Sequence, residues 1–303
     1  MKSYYLRIAD FQVRVNIVHV DNDQFQIPPQ YWPFALVDGP NPEEPILFTL
    51  TINNRCKFPP YGKEIGQFNA TGNNQAVWQQ TSGGYMFELS DQNGAVVCRM
   101  RSTARFKSNT VALYGDLSQL IFGFNNAMMI AFSFSSARHS TLLMHASVTL
   151  YKERGFLFLG KSGTGKSTHS SLWLRYIPHT SLLNDDNPVV RVVRNRVIVY
   201  GTPWSGKTPC YINHSAPADA FVMLQQSPHN AIQRANPVHA FAYLLASCSS
   251  MIWDSPTYHA ILRTINRVIS RVSVYHLECL PDADAARLSQ STITCESHDD
   301  TPR

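Results

Sequence analysis

Along residues 11–20 the apolar side chains Phe11, Val13, Val15 and Ile17 alternate with Gln12, Arg14 and Asn16. That period of two is the pattern of a half-buried β-strand. Prolines at 28, 29, 33, 40, 42 and 45 then mark a loop region, and a further strand is expected over 46–52. Gly83 and Gly84 precede an apolar run at 85–89, Asp91 to Gly94 has the composition of a hairpin turn, and 95–100 reads as the return strand. The first 115 or so residues are therefore expected to be β-rich. They contain no catalytic motif, which points to a structural or acceptor-presenting role.

The pattern changes at 117–137, a stretch without a charged residue that is rich in Phe, Met and Ile. Eight Ser, Asn, Gln and Gly residues interrupt it, so a buried helix is expected rather than a membrane span. Short strands follow at 142–150 and 155–159, joined by a turn, and 166–176 reads as a helix stopped before Pro178. Residues 188–193 and 197–200 flank Arg194 and Asn195 as a hairpin. Asn236 with Pro237, and Ser255 with Pro256, each have the cap-then-proline signature of a helix start. A late strand at 272–277 and a terminal helix opening at Pro281 and Asp282 complete the pattern, with a frayed tail from Thr292. The expected organisation is a β-rich domain over 1–138, ending in the apolar helix, and a second domain over 139–303.

Composition narrows the class. Of 303 residues 44% are hydrophobic and 16% charged, which excludes a disordered chain, and the net charge of +5 is too small to argue for nucleic-acid binding. The six cysteines contain no C-x-x-C pair, so neither a zinc site nor a redox pair is expected. Lys2, Arg7, Asp10 and Arg14 break any uncharged leader segment. A cytoplasmic protein with free thiols, without a membrane or nucleic-acid partner, is the expectation.

One motif carries chemistry. Gly160, Lys161, Ser162, Gly163, Thr164, Gly165, Lys166 and Ser167 satisfy G-x-x-x-x-G-K-[ST] between an apolar strand and a helix. In that arrangement glycine-rich backbone forms a nest of N–H groups for phosphate oxygens, extended by Thr168 in the first helical turn. Lys166 would reach the β- and γ-phosphates, and Ser167 would bind Mg²⁺. The implied ligands are ATP, or another nucleoside triphosphate, and Mg²⁺. Asp185 and Asp186 close an apolar run some twenty residues later. One acid can hold the metal and the other accept the proton of an attacking hydroxyl. His145 by itself reads as a core histidine on an apolar strand. Gly201 to Lys207 reads equally as a closing loop or as a connection with a packed Trp204.

The hairpin before Gly160, the loop itself and the acid pair together resemble the HPr serine kinase/phosphorylase family, whose P-loop fold is shared with phosphoenolpyruvate carboxykinases. The resemblance covers about 140–225, and His145 stands where that family also carries a histidine. It implies an α+β P-loop kinase domain with a mixed sheet, assembly of copies into a ring, and Mg²⁺-dependent phosphate transfer to a serine hydroxyl of a protein, peptide or small molecule. Lys166, Asp185, Asp186 and His145 would be catalytic, and Ser167, Asp185 and Asp186 would hold the metal. The family's Glu-Ile-Arg-Gly-type strand is replaced here by 197–207, so the resemblance does not extend to HPr as acceptor or to the phosphorylase step. A nucleotide-binding module without turnover and a carboxykinase-like enzyme are the alternatives.

Overall fold

A computed structural model of the chain describes residues 1–22, 25–70, 73–206 and 208–295. It divides into two compact units, Met1–Ser136 and Ala137–Arg303. Each is a mixed sheet with helices, a mixed α/β architecture throughout.

The first unit is an eight-stranded sheet. Its strands are β1 (Lys2–Ile8), β2 (Phe11–His19), β3 (Ile46–Asn53), β4 (Lys63–Ala70), β5 (Asn73–Gln79), β6 (Tyr85–Ser90), β7 (Val96–Ser102) and β8 (Ser108–Leu113). Their order is β1-β2-β3-β8-β7-β6-β5-β4, with β3 parallel to both β2 and β8 and the remaining pairs antiparallel. Helix α1 (Leu117–Ser136) is long and apolar enough to cross a membrane by length and composition, yet 78% of its most apolar window is buried. It lies on β3, β6, β7 and β8. Gly123 allows the close approach, since a Cβ there would sit 2.9 Å from the Val97 carbonyl oxygen and 3.0 Å from Cys98 Cβ.

The second unit contains β9 (Thr141–Leu143), β10 (Ala146–Tyr151), β11 (Arg154–Leu159), α2 (Lys166–Tyr176), β12 (Thr180–Asp186), β13 (Val189–Val193) and β14 (Arg196–Tyr200). These are followed by β15 (Ser215–Gln226), β16 (Ala231–Arg234), α3 (Pro237–Ala246), α4 (Ser255–Ile269), β17 (Ser273–Cys279) and α5 (Ala283–Cys295). The sheet order is β12-β10-β11-β15-β14-β13-β9, and β17 pairs with both β15 and β16. Strand β15 is parallel to both β11 and β17, which pair with it. Both faces are covered, which is why β11 is an unbroken apolar run instead of an alternating one. Phe156 and Phe158 pack with Trp173 of α2 and Ile293 of α5, while Leu157 and Leu159 pack with Leu244 of α3 and Ile261 of α4.

Several sequence expectations are corrected here. Strands β1, β4, β5, β8, β15 and β16 were not expected: β4 and β5 are largely polar, and β15 begins Ser-Ala-Pro-Ala-Asp, so pairing rather than composition makes them strands. The apolar run at 142–150 is broken at Met144 and His145 into β9 and β10. Asp254, not Ser255, caps α4, its carboxylate accepting from Thr257 N–H at 2.9 Å. Helix α5 runs through Thr292 to Cys295.

Replacing Gly123 by Val should lift α1 from β7 and β8, costing roughly 1–3 kcal/mol, the usual scale of overpacking. Denaturant unfolding with a probe in the first unit measures it. An unchanged midpoint would contradict the close packing.

Candidate functional site

The site grows from the end of β11. At Leu159 the strand stops and the chain turns through Gly160–Gly165 into α2. Gly163 has φ +83° and Gly165 φ +108°, values that side chains with a Cβ rarely adopt, and open space surrounds both Cβ positions. The glycines are needed here for backbone conformation, not for packing room. Gly165 is the N-cap of α2 and brings no capping side chain, so the first turn, with Ser167 and Thr168 exposed, faces outward with uncapped N–H groups. Thr164 folds inward, its hydroxyl donating to the Lys161 carbonyl at 2.8 Å. The helix is pinned to the sheet by a 2.6 Å hydrogen bond between the Ser147 and Ser170 hydroxyls.

Lys166, at the first position of α2, is only 9% exposed. Its ammonium donates to the Gly160 carbonyl at 2.9 Å, the Lys161 carbonyl at 3.3 Å and His145 Nε2 at 2.9 Å. Burial pushes the Lys166 pKa down, and the charges of Asp186 and Asp185 partly offset that. An ammonium only donates, so His145 Nε2 is the acceptor and the imidazole hydrogen rests on Nδ1. Nδ1 in turn lies 3.0 Å from Asp186 Oδ1. The result is a continuous relay from loop carbonyls through Lys166 and His145 to Asp186. His145 is no core residue: its side chain is 43% exposed in the break between β9 and β10. Its backbone is anchored by a 2.6 Å hydrogen bond to the Ser247 carbonyl.

The acids arrive by sheet register. Ala146 pairs with Leu159 on one side and Asp186 on the other, and Ser147 pairs with Asp185. Asp186 therefore stands two strands away from the point where the loop begins, at the same level. Asp185 is buried, with Oδ2 lacking a hydrogen-bond partner among the described residues, whereas the Asp186 side chain is 34% exposed and its Oδ2 accepts from Asn187 Nδ2 at 2.8 Å.

The 201–206 segment backs the acids. Gly206 N–H donates to the Asp185 carbonyl at 2.9 Å, and Ser205 bridges Asp186. Trp204 is packed and buried, as an ordinary connection requires; Lys207 lies outside the described residues. Two residues missed in the sequence organise this corner. Asn184, fully buried, donates to Thr202 Oγ1 at 3.1 Å and accepts from Asp186 N–H at 3.1 Å, while Thr202 donates to the Asn187 carbonyl at 2.7 Å. A polar residue inside the apolar run of β12 was the available signal. His169 is buried packing of α2. It touches Phe158 edge-on and bonds Ser289 of α5 at 3.0 Å, and burial lowers its pKa to about 4.

No family model and no curated protein matches the sequence. Among solved structures the chain is similar to the Hpr(Ser) kinase/phosphatase from Coxiella burnetii, with 11% identity and a TM-score of 0.31, over 52% of this chain and 97% of that one. A likeness of that size carries no functional argument.

Two outcomes follow from this geometry. Asn184→Ala removes the side-chain acceptor of the Asp186 N–H and one of the bonds to Thr202 and should cost about 1–3 kcal/mol, seen in denaturant unfolding. His169 binds its proton more weakly folded than unfolded, so its contribution is full above pH 6.5 and is lost as pH falls towards about 4. The loss should approach roughly 3 kcal/mol, at about 1.4 kcal/mol per tenfold change in proton affinity. Comparing unfolding free energies of wild type and His169→Gln across that window isolates it; equal slopes would contradict the neutral buried imidazole.

Proposed function

We propose that the Ala137–Arg303 unit is a P-loop phosphotransferase of HPr-kinase-like type. It would move the terminal phosphoryl group of a nucleoside triphosphate such as ATP to a serine-type hydroxyl on a protein, peptide or small molecule. The observation that carries this reading is the relay of Lys166, His145 and Asp186 at 2.9 Å and 3.0 Å, set against a glycine loop with the G-x-x-x-x-G-K-[ST] sequence. A desolvated ammonium beside an uncapped helix N-terminus is a site for an anion.

The steps follow from the side chains. Lys166 exchanges the Gly160 and Lys161 carbonyls for phosphate oxygens and offsets their charge. That frees His145 Nε2, which takes the acceptor hydroxyl's proton as its oxygen forms the new bond to phosphorus. The bond from phosphorus to the bridging oxygen breaks, and the nucleoside diphosphate leaves. Asp186, bonded to Nδ1, orients the imidazole and stabilises the imidazolium. Asp185 suits Mg²⁺, a hard cation that seeks anionic oxygen, because its buried Oδ2 has no hydrogen-bond partner among the described residues. Ser167, Asp185 and Asp186 would hold that ion, which when bound neutralises phosphate charge.

The test is calorimetric titration with Mg–ATP, combined with γ-labelled phosphate transfer to water and to serine peptides. Lys166→Ala should abolish binding. His145→Ala should bind Mg–ATP within about threefold of wild type and Asp186→Asn more weakly, while transfer falls on the order of 10²-fold or more in both. Unchanged transfer in both variants would sink the phosphotransferase mechanism and leave a nucleotide-binding module.

A further inference from the structure

A hydroxyl of the chain itself stands against the acid pair. Strand β12 ends the sheet order, with β10 on its inner side, and beyond its outer edge Ser205 forms an antiparallel bridge with Asp186. Residues paired in this way send their side chains to the same face. Asp186 therefore stands between the β10 side, where His145 meets its carboxylate, and Ser205.

The segment that carries Ser205 is pressed close. Gly206 N–H donates to the Asp185 carbonyl at 2.9 Å, and a Cβ on Gly206 would lie 2.8 Å from that carbonyl oxygen and 3.2 Å from Asp186 Cβ. Glycine is what brings the chain this near the acids. Both flanks are fixed. Trp204 is buried, its carbonyl accepting from Asn187 N–H, and Cys210 is buried, its thiol donating to the Leu182 carbonyl. Between them Ser205 is half-buried, and Gly206 and Thr208 are exposed.

Neighbouring hydroxyls are committed elsewhere. Thr202 is fully buried and donates to the Asn187 carbonyl, Ser147 and Ser170 are buried and bond each other, and Thr164 donates to the Lys161 carbonyl. Ser205 Oγ donates at 2.7 Å to the Thr208 carbonyl, a contact that rotation to another staggered rotamer releases. Paired Cβ atoms on adjacent strands lie about 5 Å apart, so the released hydroxyl is within reach of the Asp186 carboxylate.

We propose that Ser205 is a modification site: within one molecule, it receives the terminal phosphoryl group of the triphosphate held by the loop. The inference rests on the phosphotransferase reading given above. The bond from Ser205 Oγ to phosphorus forms as the bond from phosphorus to the bridging oxygen breaks. The hydroxyl proton passes to the Asp186 carboxylate, and the nucleoside diphosphate leaves. A hydroxyl already held beside the acids makes this step unimolecular, whereas an external acceptor must first bind.

The test uses full-length protein treated with a phosphatase and then freed of it. The protein is incubated with Mg–ATP labelled in the γ-phosphate over a wide range of protein concentrations, and the labelled residue is mapped by peptide mass spectrometry. Label should approach one phosphate per chain, on Ser205, at a rate per chain independent of concentration. Ser205→Ala should bind Mg–ATP within about threefold of wild type and take up none, while Asp186→Asn should label on the order of 10²-fold more slowly. Label on another residue, label persisting in Ser205→Ala, a wild-type labelling rate in Asp186→Asn, or a rate that rises with protein concentration would overturn the proposal. A chain that stays unlabelled yet transfers phosphate to serine peptides would also overturn it, and would leave the phosphotransferase standing. Mg–ATP binding without transfer to chain, peptide or water, or no binding at all, would remove both readings together.

Discussion

The second unit is organised around a cation taken out of water at the wrong end of a helix. Lys166 is the first residue of α2, where the helix dipole is positive and an ammonium gains nothing from it. Burial alone favours its neutral form. The fold answers with two backbone carbonyls, one imidazole and two carboxylates on the nearby strand β12, which keep the ammonium in place. Of the loop carbonyls that hold Lys166, that of Lys161 also accepts from the Thr164 N–H and hydroxyl.

That arrangement depends on β10 more than on the loop itself. It pairs with β11 on one side and β12 on the other, and so sets the level of Leu159, Ala146 and Asp186 at once. Its Ser147 also holds α2 by way of Ser170. A slip of one residue in either pairing would turn Asp185 and Asp186 to opposite faces, because side chains alternate along a strand. The apolar packing of both sheet faces resists such a slip: Phe156 and Phe158 would have to trade layers with Leu157 and Leu159. The precision of the polar relay thus comes from the hydrophobic cores on either side of it.

These causes explain what could be read from the sequence. The loop, helix α2 over 166–176 and the hairpin around Arg194 and Asn195 are set by neighbouring residues, through glycine, proline and periodicity, and they stand where the pattern puts them. His145 could not be classified, since what exposes it is a break between β9 and β10, fixed by pairing of Met144 with Cys248 about a hundred residues away. Strand β15 was invisible for the same reason. Its proline, alanines and aspartate have little strand preference, and it exists because β11, β14 and β17 all pair with it. Asn184 and Thr202 are likewise linked only by the fold.

Asp185 and Asp186 are indistinguishable in sequence, both short acids at the end of an apolar run, and adjacent strand positions alone would separate them. Alternation sends one carboxylate inward and the other towards the relay. The inward one, Asp185, is 4% exposed with an oxygen unpaired among the described residues, and such an oxygen is stable only if a cation or a donor comes to it. The outward one, Asp186, is already engaged by His145 and Asn187 and partly open to solvent, and in the proposed transfer it would steady the charge on the imidazole. A pair of chemically identical groups acquires two roles because one strand, by its pleat, gives them two environments.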